Sequence, residues 1–203
     1  NSQAGTVSNN AVSNCALPYS IWGSRGTALA TFTNNVATAP ASPAGSVGMY
    51  VTTDLVGYGY TNVNAQISSN RFTGFENGIY LDAAQQSWES GAYVEETINA
   101  EVYHNQIVGS TLMQADRSAS GHFNVDLTEN WWGNAGGPQK SKMNAAFTYA
   151  PWCADAACTS LAPVDGKITL PTSVGADEIQ QAIDNAPANT IIVIPAGTYN
   201  FSG

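Results

Sequence analysis

The chain has 203 residues, enough to bury one sizeable core, yet only 10% of them are charged and the net charge is −9. Ordinary globular domains carry charge on roughly a quarter of their residues, so surface polarity here comes mainly from Asn, Ser, Thr and Gly. Six basic residues cannot neutralise a phosphate backbone, which excludes nucleic acid as a partner, and no apolar run reaches the roughly 18 residues of a membrane span.

Along the chain, one pattern recurs: an apolar residue, two variable residues, Asn, one variable residue, then usually an apolar residue. It reads Val7–Val12, Phe32–Ala37, Ile67–Phe72, Val102–Ile107 and Leu127–Trp132. The asparagines are Asn10, Asn35, Asn70, Asn105 and Asn130, separated by 25, 35, 35 and 25 residues. A solenoid turn takes about 20 to 25 residues, so the longer intervals are expected to carry lateral loops, in 38–46 or 58–64 and in 83–97. Three further segments alternate as strands: 20–22, 48–51 and 78–81. The fold expected is all-β, a right-handed parallel β-helix, with the asparagines at its corners in left-handed geometry and hydrogen-bonded into a ladder.

Stacking puts equivalent positions in columns about 4.8 Å apart. Two inward columns would be Val7, Phe32, Ile67, Val102, Leu127 and Val12, Ala37, Phe72, Ile107, Trp132. One outward column ends in Glu101 and Asp126, its neighbour in Tyr103 and Thr128, and the turn column Asn9, Asn34, Ser69, His104, Glu129 ends in His104 and Glu129. The candidate site is Glu101, Tyr103, His104, Asp126 and Glu129. Glu101 and Asp126 could share a Ca²⁺ ion, or one of them could hold a raised pKa. Tyr103 and His104 could serve as acid and base toward an acidic sugar. The bland alternative is an acidic solvated face with no function. Aromatic residues Tyr58, Tyr60, Trp88 and Tyr93 on the expected loops could stack on sugars or pack the loops down. His104 and His122 have no zinc-type spacing, and phosphate-loop and Gly-x-Ser-x-Gly motifs are missing.

Cys153 and Cys158 stand close enough in sequence to close a small disulfide loop, leaving Cys15 as a thiol. Asn1 in place of Met points to a processed or truncated start. The stretch Asn130-Trp131-Trp132-Gly133-Asn134-Ala135-Gly136-Gly137-Pro138, followed by Tyr149-Ala150-Pro151-Trp152, resembles the N-W-W-G-x-x-x-G-P motif and closing segment of secreted bacterial pectate-lyase-like β-helix domains. The resemblance implies the fold and an extracellular or cell-surface location. It says little about activity, because such domains include lyases, epimerases, adhesins and surface proteins. The Asp-His and Arg-x-Pro-x-x-Arg signatures expected of a lyase do not occur.

After residue 163 the pattern changes. Residues 176–185 read as a short amphipathic helix with Ile179, Ala182 and Ile183 on one face and Asp177 as N-cap, and 190–199 as a strand and turn. This unit resembles the N-terminal cap and first strand of a pectate-lyase-like domain, standing at the opposite end. Two organisations follow for 1–163 and 164–203. The second segment either begins a following β-helix or caps the open N-terminal end of the stack, in the same chain or in a neighbouring copy, with Ile179, Ile183, Ile192 and Ile194 as the end-to-end contact. The functional expectation is a non-catalytic structural or adhesive module needing no cofactor, with copies of itself, an adjacent β-helix domain or carbohydrate as partners. A lyase or epimerase acting on acidic sugars is the alternative.

Overall fold

The computed structural model describes residues 2–23, 26–53, 61–83, 96–163, 166–188 and 190–199. Alternating side chains make strands, and the strands fall into three parallel sheets. Sheet A holds β1 (Ser2–Ser8), β4 (Gly26–Thr33), β7 (Thr61–Ser68), β10 (Thr97–Tyr103) and β13 (His122–Asp126), in that order. Sheet B holds β2 (Ala11–Ser13), β5 (Val36–Thr38), β8 (Arg71–Thr73) and β11 (Gln106–Val108). Sheet C holds β3 (Tyr19–Gly23), β6 (Val47–Thr53), β9 (Asn77–Asp82) and β12 (Met113–Arg117). The chain therefore visits A, B and C in turn, and each visit pairs in parallel with the one before. The expected second-strand segments are β3, β6 and β9; β12 completes their sheet and had no repeat signal.

Register follows the apolar columns. Val7, Phe32, Ile67 and Val102 are partners across sheet A, and Val12, Ala37, Phe72 and Ile107 across sheet B. Tyr19, Met49, Ile79 and Ala115 form the matching column of sheet C. Phe32, Ile67, Phe72, Met49, Ile79 and Ile107 are all buried, while Val7 and Val12, on the outermost strands, are only half-buried.

The short turn between sheets A and B carries an amide ladder. Asn10 donates its backbone N–H (3.1 Å) and Nδ2 (3.0 Å) to Asn35 Oδ1. Asn35 does the same to Asn70 (2.9 and 2.9 Å), Asn70 to Asn105 (2.9 and 3.0 Å), and Asn105 to Asn130 (2.9 and 3.0 Å). The second Nδ2 hydrogen reaches back to a strand carbonyl, as from Asn70 to Phe32 O at 2.9 Å and Asn105 to Ile67 O at 2.7 Å. The residue in left-handed conformation is not the ladder asparagine, as expected from sequence, but the one before it. Asn9, Asn34, Ser69, His104 and Glu129 have φ of 58, 56, 57, 56 and 57°. That bend turns the chain sharply and leaves the ladder residue's own N–H aimed at its neighbour's Oδ1.

At the far end, β14 (Trp152–Cys153) and β15 (Leu161–Ala162) form an antiparallel pair, and β16 (Lys167–Thr169) pairs in parallel with β17 (Ile191–Val193). Between β16 and β17 lies α1 (Ala176–Asn185). Its N-cap is Gly175, not Asp177, and Glu178 Oε2 accepts from the Gly175 N–H. The buried face also differs from the sequence expectation: Ile179, Ala182 and Asn185 are buried, whereas Ile183 is 47% exposed. The reason is polar. Asn185 Nδ2 donates to Gly136 O (2.9 Å) and Pro138 O (2.6 Å), and Gln181 Nε2 donates to Gly137 O. These bonds rotate the helix so that Asn185 faces inward. Gly136 lies so close that an added Cβ would sit 2.6 Å from Glu178 O and 2.9 Å from Ala182 N, so only glycine fits under the helix. Helix α1 is thus seated on the Gly136–Pro138 segment of its own chain, and the buried Trp152 Nε1 donates to Ala135 O at 3.0 Å.

The ladder's energetic weight depends on depth. Removing the Asn70 side chain orphans the Asn35 N–H and the Phe32 carbonyl in a buried site. With each orphaned group costing about 1–3 kcal/mol, Asn70→Ala is expected to destabilise the fold by about 3–5 kcal/mol in urea unfolding. Asn10→Ala, at the exposed end, should cost under about 1 kcal/mol.

Candidate functional site

Alternation along the strands of sheet A sends every second residue outward, and two such columns line an open groove of about 670 Å³. One is Thr31, Gln66, Glu101, Asp126, in parallel register. The other is Leu29, Asn64, Asn99, Asn124. In this second column Asn99 Nδ2 donates to Asn64 Oδ1 and Asn124 Nδ2 to Asn99 Oδ1, each at 2.8 Å. A surface amide ladder therefore runs parallel to the one at the turn. The sequence reading missed it, although the register that aligned the hexapeptides also aligned Asn64, Asn99 and Asn124 six residues before each ladder asparagine.

Glu101 and Asp126 meet in this groove as register partners. Glu101 Oε2 accepts from Gln66 Nε2 at 3.1 Å, and Asp126 Oδ1 accepts from the Thr128 N–H at 2.8 Å. Among the described residues there is no group of three or more His, Cys, Asp or Glu arranged to hold a metal ion. Two carboxylates already engaged in hydrogen bonds supply only part of the six to eight oxygens that Ca²⁺ takes. The pair does not by itself make a calcium cage.

Tyr103, His104 and Glu129 lie elsewhere. His104 and Glu129 occupy successive left-handed turn positions, with His104 Nε2 3.1 Å from Glu129 Oε2. The Tyr103 ring packs edge-on against the His104 imidazole, with centroids 5.4 Å apart. None of the three lines the groove. The five candidates thus separate into a groove pair and a turn cluster. An acid–base mechanism combining them would have to reach across the strand end.

Beside the turn cluster, Cys153 and Cys158 are disulfide-bonded, with Cα atoms 4.7 Å apart, and Cys15 is a free thiol. Inside this loop Asp155 accepts hydrogen bonds from Thr159 Oγ1 (2.7 Å) and Ser160 Oγ (2.9 Å) and from nearby backbone N–H groups. These bonds, the Thr159 hydroxyl first among them, lower the Asp155 pKa to about 2.

Sheet C presents a different outer face. Tyr50 and Tyr80 are register partners whose rings stack at 6.0 Å, and Trp22, 59% exposed, packs edge-on against Tyr50 at 6.3 Å. Tyr50 Oη donates to Asp82 Oδ2 at 2.8 Å. The sequence reading looked for aromatic residues on loops instead. Tyr58, Tyr60, Trp88 and Tyr93 lie outside the described residues.

At the chain's far end Ile179 is 1% exposed and packs into its own core, so it cannot serve an end-to-end contact. Ile192 is half-buried, and Ile183, Ile191 and Ile194 are 47%, 65% and 43% exposed. The described helix is not long and apolar enough to cross a membrane. No protein-family model, no curated protein and no solved structure matches this chain.

Burial and then the Asp82 hydrogen bond raise the Tyr50 pKa to about 12 from 10.0. The folded value exceeds the unfolded one, so the associated stability is complete below pH 10.0 and declines as pH rises towards about 12. Burial also raises Tyr19, Tyr80 and Tyr149, so ultraviolet titration of tyrosinate should show a late-ionising fraction whose highest-pH part is lost in Tyr50→Phe. The variant's stability should also fall less steeply across that window.

Proposed function

We propose that this chain is a non-catalytic extracellular module with the right-handed parallel β-helix fold of the pectate-lyase-like class. It serves as a rigid structural and adhesive unit, joined end to end with a further β-helix domain or another copy. The observation that carries this reading is the asymmetry of the two ends. At one, β1, β2 and β3 are the outermost strands of their sheets, with Asn10 exposed at the start of the amide ladder. At the other, α1 is bonded over the segment that follows the last repeat, and β16 and β17 form a separate two-stranded sheet.

An outermost strand offers a row of backbone donors and acceptors for a parallel partner. Because the two ends differ, the contact is heterologous, and copies stacked along one axis by such a contact make a linear array. Ile191 and Ile194 supply exposed apolar area at one end, and Leu17 and Trp22 lie in or beside the first strands at the other. The resemblance of 164–203 to a β-helix N-terminal cap and first strand agrees with this. The disulfide and the scarcity of charge suit an oxidising, extracellular setting.

The alternative, a lyase or epimerase for acidic sugars, has its foothold in Glu101 and Asp126. Such chemistry needs positive charge against the uronate carboxylate as well as a base. Among the described residues the groove lining contains no Lys, Arg or His, which favours the non-catalytic reading.

Analytical ultracentrifugation with negative-stain microscopy tests the assembly. The full chain should associate into linear particles as concentration rises, and Ile191→Lys with Ile194→Lys should suppress this at least tenfold. A strictly monomeric wild-type chain at high concentration would sink the end-to-end reading. Absorbance of unsaturated products on uronate polymers, with and without Ca²⁺, should stay flat; a steady rise would establish the lyase instead.

A further inference from the structure

We propose that the groove on the outer face of sheet A binds an extended, uncharged glycan chain lying across the strands. This rests on the adhesive reading above and gives that reading its ligand class. Successive strands lie about 4.8 Å apart, close to the length of one pyranose unit in an extended β-linked chain. The column Asn64, Asn99, Asn124 repeats at that interval, so each sugar unit would meet one amide group.

Those amides are held in place before any ligand arrives. The 2.8 Å bonds between them use one Nδ2 hydrogen of Asn99 and of Asn124, leaving a second hydrogen on each for a sugar oxygen. A preorganised donor row loses little side-chain entropy on binding. The neighbouring column contributes Gln66, exposed and tied to Glu101 at 3.1 Å. Leu29, 43% exposed at one end of the amide column, offers an apolar surface to the C–H face of a sugar ring.

Charge selects the class of glycan. Glu101 and Asp126 line the groove, and its described lining residues include no Lys, Arg or His. Carboxylates accept strong hydrogen bonds from hydroxyl groups, which an uncharged sugar supplies in abundance. A uronate or sulfated sugar would place its own anion a few ångströms from theirs, where like charges repel. The groove thus favours neutral chains, the opposite of what a pectate-type activity would require.

The test is affinity electrophoresis and calorimetry of the full chain. The panel is neutral β-linked glucan, mannan and xylan oligosaccharides, with polygalacturonate and alginate oligosaccharides as the anionic arm. At least one neutral glycan should bind, and at least tenfold more tightly than either anionic one. Asn99→Ala should weaken that binding at least tenfold, and Gln66→Ala, an exposed position tolerant of change, should weaken it severalfold. Glu101→Gln with Asp126→Asn should narrow the gap between neutral and anionic chains, whereas Tyr80→Phe, on the outer face of sheet C, should leave glycan affinity unchanged. The proposal is overturned if no neutral member binds, if anionic chains bind more tightly, or if both Asn99→Ala and Gln66→Ala bind like the parent. Assembly is read separately, so end-to-end association without glycan binding removes the groove proposal alone. Glycan binding by a chain that stays monomeric removes only the end-to-end contact.

Discussion

The amide ladder from Asn10 to Asn130 is the constraint on which the rest of this structure depends. Each step joins a backbone N–H and a side-chain Nδ2 to a single Oδ1. The bond pair locks one strand's register to the next at the tightest turn in the chain. A slip of one residue would turn every inward side chain outward, and the ladder forbids it. Low charge is part of the same solution. Charges stacked about 4.8 Å apart would repel, whereas amides and hydroxyls can bond their copies above and below.

Once register is locked, every column becomes a surface property. Sheet A displays amides and two carboxylates around a groove, while sheet C displays stacked tyrosines with Trp22 at the edge. The two faces therefore offer different chemistry from one backbone plan. Bonded amides present oriented polar groups to a ligand, whereas Tyr50 and Tyr80 spend their ring faces on each other.

The C-terminal segment is governed by a second close approach. Gly136 leaves space for α1, and the carbonyls of Gly136, Gly137 and Pro138 are taken by Asn185 and Gln181. The motif that ends the repeats is thus also a seat for the helix. Covering the last repeat in this way makes the two ends of the molecule unlike.

Much of this was legible in the amino-acid sequence, for a physical reason. A repeating strand register writes itself as equal spacing, so Val7, Phe32, Ile67 and Val102 could be aligned without coordinates, as could the five asparagines. The pairing of Glu101 with Asp126 followed from the same alignment. What the sequence could not decide was anything that depends on side-chain direction at close range. The second ladder of Asn64, Asn99 and Asn124 needed the strands to extend beyond the hexapeptide. The alignment already set His104 and Glu129 in the turn column; that these residues, and not the ladder asparagines, take the left-handed conformation was decided by the structure. The inward roll of Asn185 in place of Ile183 was decided by carbonyls almost fifty residues away, a contact that helical periodicity cannot register.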